Sequence, residues 1–504
     1  MTQEPTHVKP DDPRLKLQQT SVSRARERLA ALKTHFGYQQ FHDGQAEAVD
    51  GLQNGHDVLA VLPTGSGKTL IYELTTYLFN RPSLIVSPLL ALMQDQVGRL
   101  NRRGERRAVA LNSMLKPGDQ QQVLNQLSRY RFIFVSPEML LNDRVLNALK
   151  RIPLGLMVVD EAHCISTWGP DFRPAYLNLG QVRQQLDHPV TLALTATADE
   201  QVQQDIKRVL AFDDTAQAII HSVDRPNIFL AVEQVASIQQ KEARLLTLLQ
   251  EVAFPGIIYF SSKAQASEWA QSLVEQGYTA AAYHAGLDGQ TRFAIQQQFM
   301  QNQLQVVCAT SAFGMGIDKA DIRFVFHYHL PVSLTDYVQE IGRAGRDGQP
   351  SLAVVVMAPG DQQRPIDLVN LQLPSDAEIA EGYATPLANL NSETHDLINY
   401  YRSHHYTVEQ VEHLFAARRR SQQHSLAQLF KYVRSTTCLR AQLLSTFGES
   451  APEHSVTCCA PVGTQLDVRQ LHLPTKPMQP RGDRPIVHHW RDQLRQLFSE
   501  NFTN

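Results

Sequence analysis

The sequence predicts an α/β protein made of two lobes, each a parallel sheet wrapped by helices, followed by a small helical domain. Residues 23–222 and 223–358 each alternate short apolar runs with longer amphipathic segments, which is typical of parallel strands connected by helices. The chain has 504 residues, which is too long for one ordinary core and suits two or three domains. After residue 358 the alternation stops, so we expect the second lobe to end there.

The predicted strands are the short apolar runs. In the first lobe they are Val58–Leu62, Leu84–Val86, Phe132–Val135, Leu156–Val159 and Thr191–Leu194. In the second lobe they are Ile257–Phe260, Thr279–Tyr283, Val306–Ala309, Phe324–Phe326 and Leu352–Val356. The periodic segments between these runs are long enough for the helices that parallel strands require.

The remaining segments differ from the lobes in composition. We expect residues 1–22 to be a flexible tail, 359–390 a linker rich in Pro, Asp and Gln, and 391–460 a helical hairpin. Capping-box patterns at Thr407 and Ser425 predict two helix starts there, and Gly448 predicts the end of the second helix. Residues 461–504 are predicted to be a tail with a terminal helix at 487–498.

Composition excludes several classes of protein. Hydrophobic residues make up 43% and charged residues 19%, as in soluble globular proteins. No apolar run approaches the roughly 18 residues of a membrane span. Five cysteines do not make a disulfide framework and favour a reducing, cytoplasmic setting. Because the net charge is −3, contact with nucleic acid would need local basic clusters. Such clusters occur at Arg102, Arg103, Arg106 and Arg107, and at Arg418, Arg419 and Arg420. Clusters of this kind are commonly just solvated surface.

A strand, a glycine-rich loop and a helix follow one another at residues 58–71. Within the loop 63–69, Gly65 and Gly67 allow backbone N–H groups to turn inward on an anion, and the helix N-terminus adds partial positive charge. Lys68 would reach the β- and γ-phosphates, and the Thr69 hydroxyl would hold Mg²⁺. The pattern predicts an ATP site, although the strict phosphate-loop pattern has glycine where this chain has Leu62.

An acidic pair follows the predicted strand Leu156–Val159. Carboxylates at the C-terminal end of a parallel strand lie where open α/β sheets bind ligands. We expect Asp160 to hold Mg²⁺ and Glu161 to orient or deprotonate the attacking water, while His163 senses the γ-phosphate. An Asp-Glu pair alone is commonly a surface helix cap, so this prediction depends on the phosphate loop upstream.

The aromatic-rich segment 164–176 resembles the loop that couples single-strand binding to hydrolysis in RecQ helicases, a branch of superfamily 2. Trp168 and Phe172 offer faces for stacking bases, and Arg173 offers positive charge. The resemblance implies two RecA-like lobes with ATP and Mg²⁺ as cofactors. RNA helicases share the phosphate loop and the acidic pair, but not this aromatic stretch.

Further segments resemble RecQ motifs in the order of the family. Phe36 to Gln45 resembles the adenine-reading segment, with His42 where the family usually has arginine. The resemblance assigns the ATP site to Phe41, Gln45, Thr64, Gly65, Ser66, Gly67, Lys68, Thr69, Gly316 and Asp318. It assigns DNA binding and coupling to Trp168, Phe172, Arg173, Thr195, Thr197, Ser261, His284 and Thr310.

Two arginines lie three residues apart in the segment 339–348, hence on one face of a turn or helix end. By resemblance Arg343 and Arg346 would act as arginine fingers that stabilise charge on the transferring phosphoryl group. Two arginines near glycines are usually a solvated turn. Their place after a complete set of first-lobe motifs favours the functional interpretation.

RecQ proteins commonly carry a four-cysteine zinc site after the two lobes, and residues 430–449 resemble the hairpin that precedes it. Only Cys438, Cys458 and Cys459 are present, and we do not expect two adjacent cysteines to serve one compact site. Two interpretations stay open: a Cys₃His zinc site completed by His454, or a degenerate site held by packing alone. The spacing favours weak zinc binding or none.

Together the motifs and the resemblance predict a short-form ATP-dependent DNA helicase that moves 3′ to 5′ on single-stranded DNA and unwinds duplexes in repair or recombination. The polarity and the pathway come from the resemblance. Expected partners are single-stranded and forked DNA, with single-strand-binding or repair proteins as candidates, and we expect a cytoplasmic monomer. The alternatives are an RNA-directed helicase, or a nucleic-acid binding or annealing module with weak ATPase activity.

Overall fold

The computed structural model describes residues 13–88, 90–112, 115, 117–166, 173–314, 319–384, 392–403, 405–450, 458–471 and 473–474. The chain divides into two compact units. The first contains Met1–Leu62, Ser66–Ile165 and Ala175–His221, and the second contains Pro63–Gly65, Ser166–Pro174 and Ser222–Asn504. Each unit has a seven-stranded sheet. The predicted α/β class with two parallel-sheet lobes and a helical C-terminal region is confirmed.

The sheet of the first unit has the order β3-β4-β2-β5-β6-β1-β7, and every pairing is parallel. Its strands are β1 Val58–Val61, β2 Ser83–Val86, β3 Ala108–Leu111, β4 Phe132–Val135, β5 Leu156–Val159, β6 Val190–Thr195 and β7 Gln217–Ile220. Its helices are α1 Pro13–Phe36, α2 Gln45–Gln53, α3 Lys68–Phe79, α4 Leu90–Arg102, α5 Pro117–Asn125, α6 Pro137–Leu140, α7 Asp143–Leu149, α8 Leu179–Gln185 and α9 Glu200–Val209.

Alternate residues of each strand pack into two hydrophobic cores, one on each face of this sheet. In β1, Leu59 and Val61 join one core, whereas Val58 and Ala60 join the other. Both faces are covered, so the inner strands are continuous apolar runs and were easy to predict. The edge strands β3 and β7 are partly exposed and were missed, although β3 is itself the apolar run Ala108–Leu111.

The sheet of the second unit has the order β10-β11-β9-β12-β13-β8-β14, also entirely parallel. Its strands are β8 Ile228–Gln234, β9 Gly256–Tyr259, β10 Ala280–Tyr283, β11 Val306–Ala309, β12 Phe324–His327, β13 Ser351–Met357 and β14 Cys459–Ala460. Its helices are α10 Ile238–Glu251, α11 Lys263–Glu275, α12 Gly289–Met300, α13 Leu334–Ile341, α14 Gln363–Gln372, α15 Asp376–Ala384, α16 Ser392–Ser403, α17 Val408–Val433 and α18 Leu439–Thr446.

The C-terminal helical region packs on this second unit. Leu429 and Tyr432 of α17 and Leu443 of α18 join the same core as the strands. The chain then returns to the sheet, where β14 pairs with β8. No helix in the part of the chain that the structure describes combines the length and apolarity needed to cross a membrane.

Three expectations for this region need correction. The predicted linker 359–390 contains α14 and α15, whose buried Val369 and Ile379 supply an apolar side that its polar composition concealed. The capping box at Thr407 is confirmed, but Ser425 starts no helix because the apolar periodicity of α17 continues through Leu426. The second helix is the separate α18, which ends two residues before Gly448. The predicted terminal helix 487–498 lies outside the described residues.

Candidate functional site

The phosphate loop and the acidic pair lie at one edge of the first sheet. Strands β5, β6 and β1 are neighbours, and all three end at this edge because they are parallel. The edge therefore presents Asp160 after β5, Thr195 at the end of β6, and the loop 62–67 after β1. With adjacent strands about 4.8 Å apart, the ends of β5 and β1 are roughly 10 Å apart, which is a suitable spacing for a phosphate chain and a cation.

The backbone of the phosphate loop depends on its glycines. Gly65 and Gly67 have φ values of 85° and 72°, in the left-handed region that glycine adopts without strain. Helix α3 begins at Lys68, so its N-terminus opens onto the loop, and Thr69 is half-buried in the first turn. The Ser66 hydroxyl is buried and has no hydrogen-bond partner among the described residues. The loop thus has polar groups suited to a phosphate ligand.

Gln45 ties the segment before α2 to this loop. Its side-chain amide donates hydrogen bonds to the carbonyl oxygens of Ser66 at 2.7 Å and Gly67 at 3.1 Å, and its oxygen accepts one from the His42 N–H at 3.0 Å. Phe41 is half-buried beside the core of the same unit, and His42 is exposed. Of the predicted nucleotide contacts, Gln45 therefore lies directly against the phosphate loop.

The Lys68 ammonium donates to the Leu62 carbonyl oxygen at 3.0 Å and lies near Asp160. Burial, followed by repulsion from Glu161, raises the pKa of Asp160 to about 7, although Lys68 opposes this shift. Two adjacent half-buried carboxylates, of which Asp160 has a raised pKa, form an environment that a divalent cation would stabilise. The donor set is thus suited to Mg²⁺, which prefers oxygen ligands.

A chain of contacts joins the acidic pair to β6. Glu161 has a φ of 49°, which is unusual for a residue with a side chain. His163 Nδ1 lies 3.4 Å from a Glu161 carboxylate oxygen and 3.0 Å from the Thr195 hydroxyl, which donates to the Thr197 carbonyl oxygen at 2.9 Å. The structure thus brings together four residues that were predicted from separate motifs.

In the second unit, three residues that were predicted to contact DNA follow adjacent β-strands. Ser261, His284 and Thr310 come just after β9, β10 and β11, so they share one sheet edge. The His284 ring lies 3.0 Å from the Ser267 hydroxyl, and burial lowers its pKa. The Ser261 hydroxyl accepts a hydrogen bond from Arg364 at 2.5 Å. Ser261 and Thr310 are half-buried at this edge, and His284 is buried.

The two arginines of the last motif follow α13. Arg343 is buried and donates to the Gly314 carbonyl oxygen, and Arg346 is half-buried. Sequence reasoning missed Arg225, which donates to the carbonyl oxygens of Gly342 at 3.0 Å, Ala344 at 3.1 Å and Gly345 at 2.7 Å. No local pattern links Arg225 to this turn, because the partners are 117 to 120 positions apart.

The three C-terminal cysteines converge. Cys438 Sγ lies 3.7 Å from the Sγ atoms of both Cys458 and Cys459, and the three sulfur atoms lie within 4.8 Å of one another. The expectation that adjacent cysteines could not serve one site is therefore wrong. Cys458 lies in a turn immediately before β14, so strand alternation does not separate the two side chains.

The sulfur positions can be compared with those around a metal. Tetrahedral zinc with Zn–S bonds of about 2.3 Å places its sulfur ligands about 3.8 Å apart, which agrees with the observed 3.7 Å. Burial raises the pKa of the Cys459 thiol to about 12 in the absence of a metal, so zinc would have to displace its proton. The two sulfur separations that involve Cys438 therefore fit a tetrahedral zinc ion.

Several predicted site residues lie outside the described residues. They are Trp168 and Phe172 of the aromatic segment, Gly316 and Asp318 of the fifth motif, and His454. Arg173, at the end of the aromatic segment, is described and half-buried.

Comparisons with known proteins give consistent family matches. Residues 42–206 match the DEAD/DEAH box helicase family, 240–348 the helicase conserved C-terminal domain, and 402–460 the RecQ zinc-binding family. The chain is 38% identical to the probable ATP-dependent DNA helicase RecS of Bacillus subtilis, over 92% of this chain and 96% of that protein. It is 35% identical to the ATP-dependent DNA helicase RecQ of Synechocystis, over 85% and 96%.

A solved structure agrees at the level of the fold. Mycobacterium smegmatis helicase Lhr, bound to single-stranded DNA and AMP-PNP, aligns with a TM-score of 0.55 at 19% identity, over 82% of this chain and 58% of that chain.

Proposed function

This chain belongs to the RecQ family of superfamily 2 helicases, and we propose that it is an ATP-dependent DNA helicase. The observation that carries the proposal is the convergence of the phosphate loop, Asp160 and Glu161 at one edge of the first sheet. The two relatives of nearly full length are named as ATP-dependent DNA helicases, one of them as probable.

The phosphate loop and the acidic pair would bind and activate ATP. Lys68 would exchange its contact with the Leu62 carbonyl oxygen for the β- and γ-phosphates, which the N–H groups of Gly65, Ser66 and Gly67 would also contact. Thr69 and Asp160 would hold Mg²⁺, which supplies positive charge to the phosphates when bound. Glu161 would orient or deprotonate the attacking water.

The remaining ATP contacts are assigned to residues of several motifs. Phe41 and Gln45 would receive the adenine, and we assign Thr64, Gly316 and Asp318 to the ATP site by family resemblance. Arg343 and Arg346 would stabilise negative charge on the transferring phosphoryl group. His163 would pass the state of that group to Thr195 and Thr197, through the hydrogen bonds it already makes.

Single-stranded DNA would contact residues of several motifs. We assign this role to Thr195, Thr197, Ser261, His284 and Thr310, together with the aromatic segment that carries Trp168, Phe172 and Arg173. The affinity for single-stranded DNA would change with the state of the bound nucleotide, and this change would move the protein along the DNA. The ATP site and the DNA site would thus be reciprocally coupled. We propose 3′ to 5′ movement, action on forked DNA in repair or recombination, and a cytoplasmic monomer.

We also propose lobe bounds of 23–222 and 223–358 and a zinc-binding region at 391–460. Cys438, Cys458 and Cys459 would hold zinc, because the sulfur spacing fits a tetrahedral ion. His454 is the candidate for the fourth ligand. Bound zinc would fasten the start of α18, where Cys438 is the N-cap, to β14.

ATP hydrolysis with and without polynucleotides tests the proposed function. We expect strong stimulation by single-stranded DNA, weak stimulation by RNA, and loss of nearly all activity in Lys68→Ala, because the variant lacks the phosphate-binding ammonium. Lys33→Ala, which removes an exposed lysine from α1, is the matched control.

The other outcomes separate the alternatives. Equal or stronger stimulation by RNA would favour an RNA-directed helicase. DNA binding without any stimulation of hydrolysis would overturn the motor and leave a binding or annealing module.

A further inference from the structure

The edge of the first sheet opposite the candidate ATP site is basic. At this edge the chain enters each strand, and Arg81 precedes β2, Arg107 precedes β3, Arg131 precedes β4, and Arg151 precedes β5. These strands are consecutive in the order β3-β4-β2-β5. Arg103, Arg106 and Arg129 lie in the same connections. We call these seven arginines the basic edge.

Backbone hydrogen bonds show that the members of the basic edge are neighbours in space. The Arg131 N–H donates to the Arg107 carbonyl oxygen at 2.7 Å, and the Ser83 N–H donates to that of Arg131 at 2.8 Å. The Gly155 N–H donates to the Pro82 carbonyl oxygen at 2.8 Å, which continues the series towards β5. The basic edge is therefore continuous across four strand ends, or about 14 Å at 4.8 Å per strand.

A cleft of about 350 Å³ opens at one end of the basic edge. Arg103, Arg107 and Arg131 line it, together with the carboxylates of Glu73 and Glu105. Arg107 makes a two-point ion pair with Glu105 at 2.9 and 3.0 Å, and Arg103 pairs with Glu73 at 3.0 Å. Because a guanidinium has five N–H donors, each keeps donor capacity beyond the carboxylate that fixes it.

The Tyr77 ring, which lines this cleft, already has two stacking partners. The Tyr77 ring is stacked on His35 at 4.0 Å, and the Arg131 guanidinium lies 5.0 Å from the centroid of the same ring. Its contacts with His35 and Arg131 leave little of the ring for a base. A ligand would therefore be held by charge and hydrogen bonding.

The basic edge is not a general property of this fold. In the second unit, the residues that lead into β9, β10 and β11 are uncharged: Phe254 and Pro255, Tyr278 and Thr279, and Leu304 and Gln305. Arg323, which leads into β12, makes a two-point ion pair with Asp347 at 2.7 Å. In the first unit the basic stretch stops at β6, where Asp187 lies in the preceding loop.

We propose that the basic edge is a second DNA-binding surface that contacts the phosphate backbone. Cations spread over about 14 Å suit a row of phosphates, because each strand of a duplex carries one phosphate per about 3.4 Å of helix axis. A free nucleotide would cover only one end of this row. Since the edge lies at the opposite ends of the strands from the ATP site, we infer that it binds a duplex arm of the substrate. This inference rests on the proposed DNA helicase function.

The test is the salt dependence of binding to a forked DNA, measured by fluorescence anisotropy, in Arg81→Gln/Arg106→Gln. Both arginines are exposed, and neither has an ion pair among the described residues, so the fold should tolerate the change. We expect weaker fork binding and a fall of about 1 to 2 in the slope of log affinity against log salt, for one or two lost phosphate contacts. A short single strand should bind as tightly as it does to the unaltered protein.

The matched control is Arg26→Gln/Arg469→Gln, which removes the same charge from exposed arginines outside the basic edge. An unchanged slope in the first variant, or the same change in the control, would overturn the inference. Equal losses of affinity for the fork and for the short single strand would also overturn it. So would competition between inorganic triphosphate and the fork that disappears in Arg81→Gln/Arg106→Gln, because the basic edge would then bind a free polyphosphate. If the unaltered protein bound no DNA, the proposed function itself would fail, and the two failures are thereby distinguishable.

Discussion

Arg225 binds the turn that carries Arg343, although it lies far from that turn in the sequence. Its guanidinium binds three carbonyl oxygens of the turn 342–345, and Asn227 donates to the Gly345 carbonyl oxygen at 2.8 Å. Burial, followed by repulsion from Arg346, lowers the pKa of Arg225 to about 10, so the group remains charged at neutral pH. Arg225 is therefore a positioning residue for Arg343 and Arg346.

We expect Arg225→Ala to lower kcat for ATP hydrolysis more than it raises KM, because the proposed fingers act on the transferring phosphoryl group. Each carbonyl oxygen left buried without a donor would also cost about 1–3 kcal/mol of stability. Steady-state kinetics with a parallel measurement of Tm checks this. Arg244→Ala, which breaks an ion pair with Glu233 in the same unit, is the control. A lower Tm with unchanged kcat would leave Arg225 a purely structural role.

We expect the ionised Asp160 carboxylate, which Mg²⁺ binding would require, to lower the stability of the metal-free protein. Its pKa is raised to about 7, so protonation favours the folded state and stability should fall as pH rises from about 4 to 7. We therefore expect Asp160→Asn, without Mg²⁺, to be more stable than the unaltered protein at pH 8. The advantage should shrink as pH falls through that window. Thermal unfolding against pH measures it, with the exposed Asp43→Asn as control. Equal Tm values for Asp160→Asn and the unaltered protein at pH 8 would contradict the raised pKa of Asp160.

At the scale of elements, β14 shows how two residues can close a sheet edge. The strand pairs with β8 through Cys459 and Ala460, far along the chain from the other strands. The sulfur of Cys438, the N-cap of α18, lies 3.7 Å from those of Cys459 in β14 and of Cys458 just before it. Nearby, Arg440 of α18 binds the Ile228 carbonyl oxygen at 2.6 Å at the start of β8. These contacts attach the C-terminal helices to the second sheet.

Zinc analysis tests the cysteine cluster. We expect the purified protein to contain one zinc per chain and Cys438→Ser to lose most of it, with a lower Tm, because the ion would join α18 to β14. Elemental analysis and thermal unfolding are the measurements. Cys164→Ser, which alters a buried cysteine of the first unit, should keep its zinc. A metal-free protein with the same Tm after chelation would show that packing alone holds the cluster.

At the scale of the whole molecule, two similar sheets carry different chemistry at the same edge. The first presents the phosphate loop and the carboxylates, and the second presents Ser261, His284 and Thr310. Parallel strands bring all loops of one kind to one edge, so motifs far apart in the chain become neighbours. A motor in which ATP and a strand affect each other needs such a set of residues.

Tailed duplexes test the proposed direction of movement along DNA. We expect displacement of a strand from a duplex with a 3′ single-stranded tail and little displacement from one with a 5′ tail, as the family resemblance implies. ATP-dependent strand displacement on the two substrates measures it, with Lys68→Ala as the blank. Unwinding of the 5′-tailed substrate alone would reverse the proposed polarity.

Much of the fold was predictable because buried parallel strands are continuous apolar runs, as in β4 and β5. The edge strands β3 and β7 and the inner strand β8 were missed, although β3 and most of β8 are also apolar, because a short apolar run does not by itself distinguish a strand from part of a helix. The candidate ATP site was predictable because its loop and acidic pair each occupy a few consecutive residues. Arg225 was not, because its partners lie in a distant turn.

The sequence by itself determined the fold class, the family and the short motifs, since these depend on local spacing and on the burial of alternating apolar residues. Only the tertiary structure decided which distant groups meet. It brought Cys438 to the adjacent pair Cys458 and Cys459, and it aligned the basic edge across four strand ends. The physical reason is that strand order in a sheet differs from the order along the chain. Neighbours in space are therefore set by packing and cannot be found from local patterns.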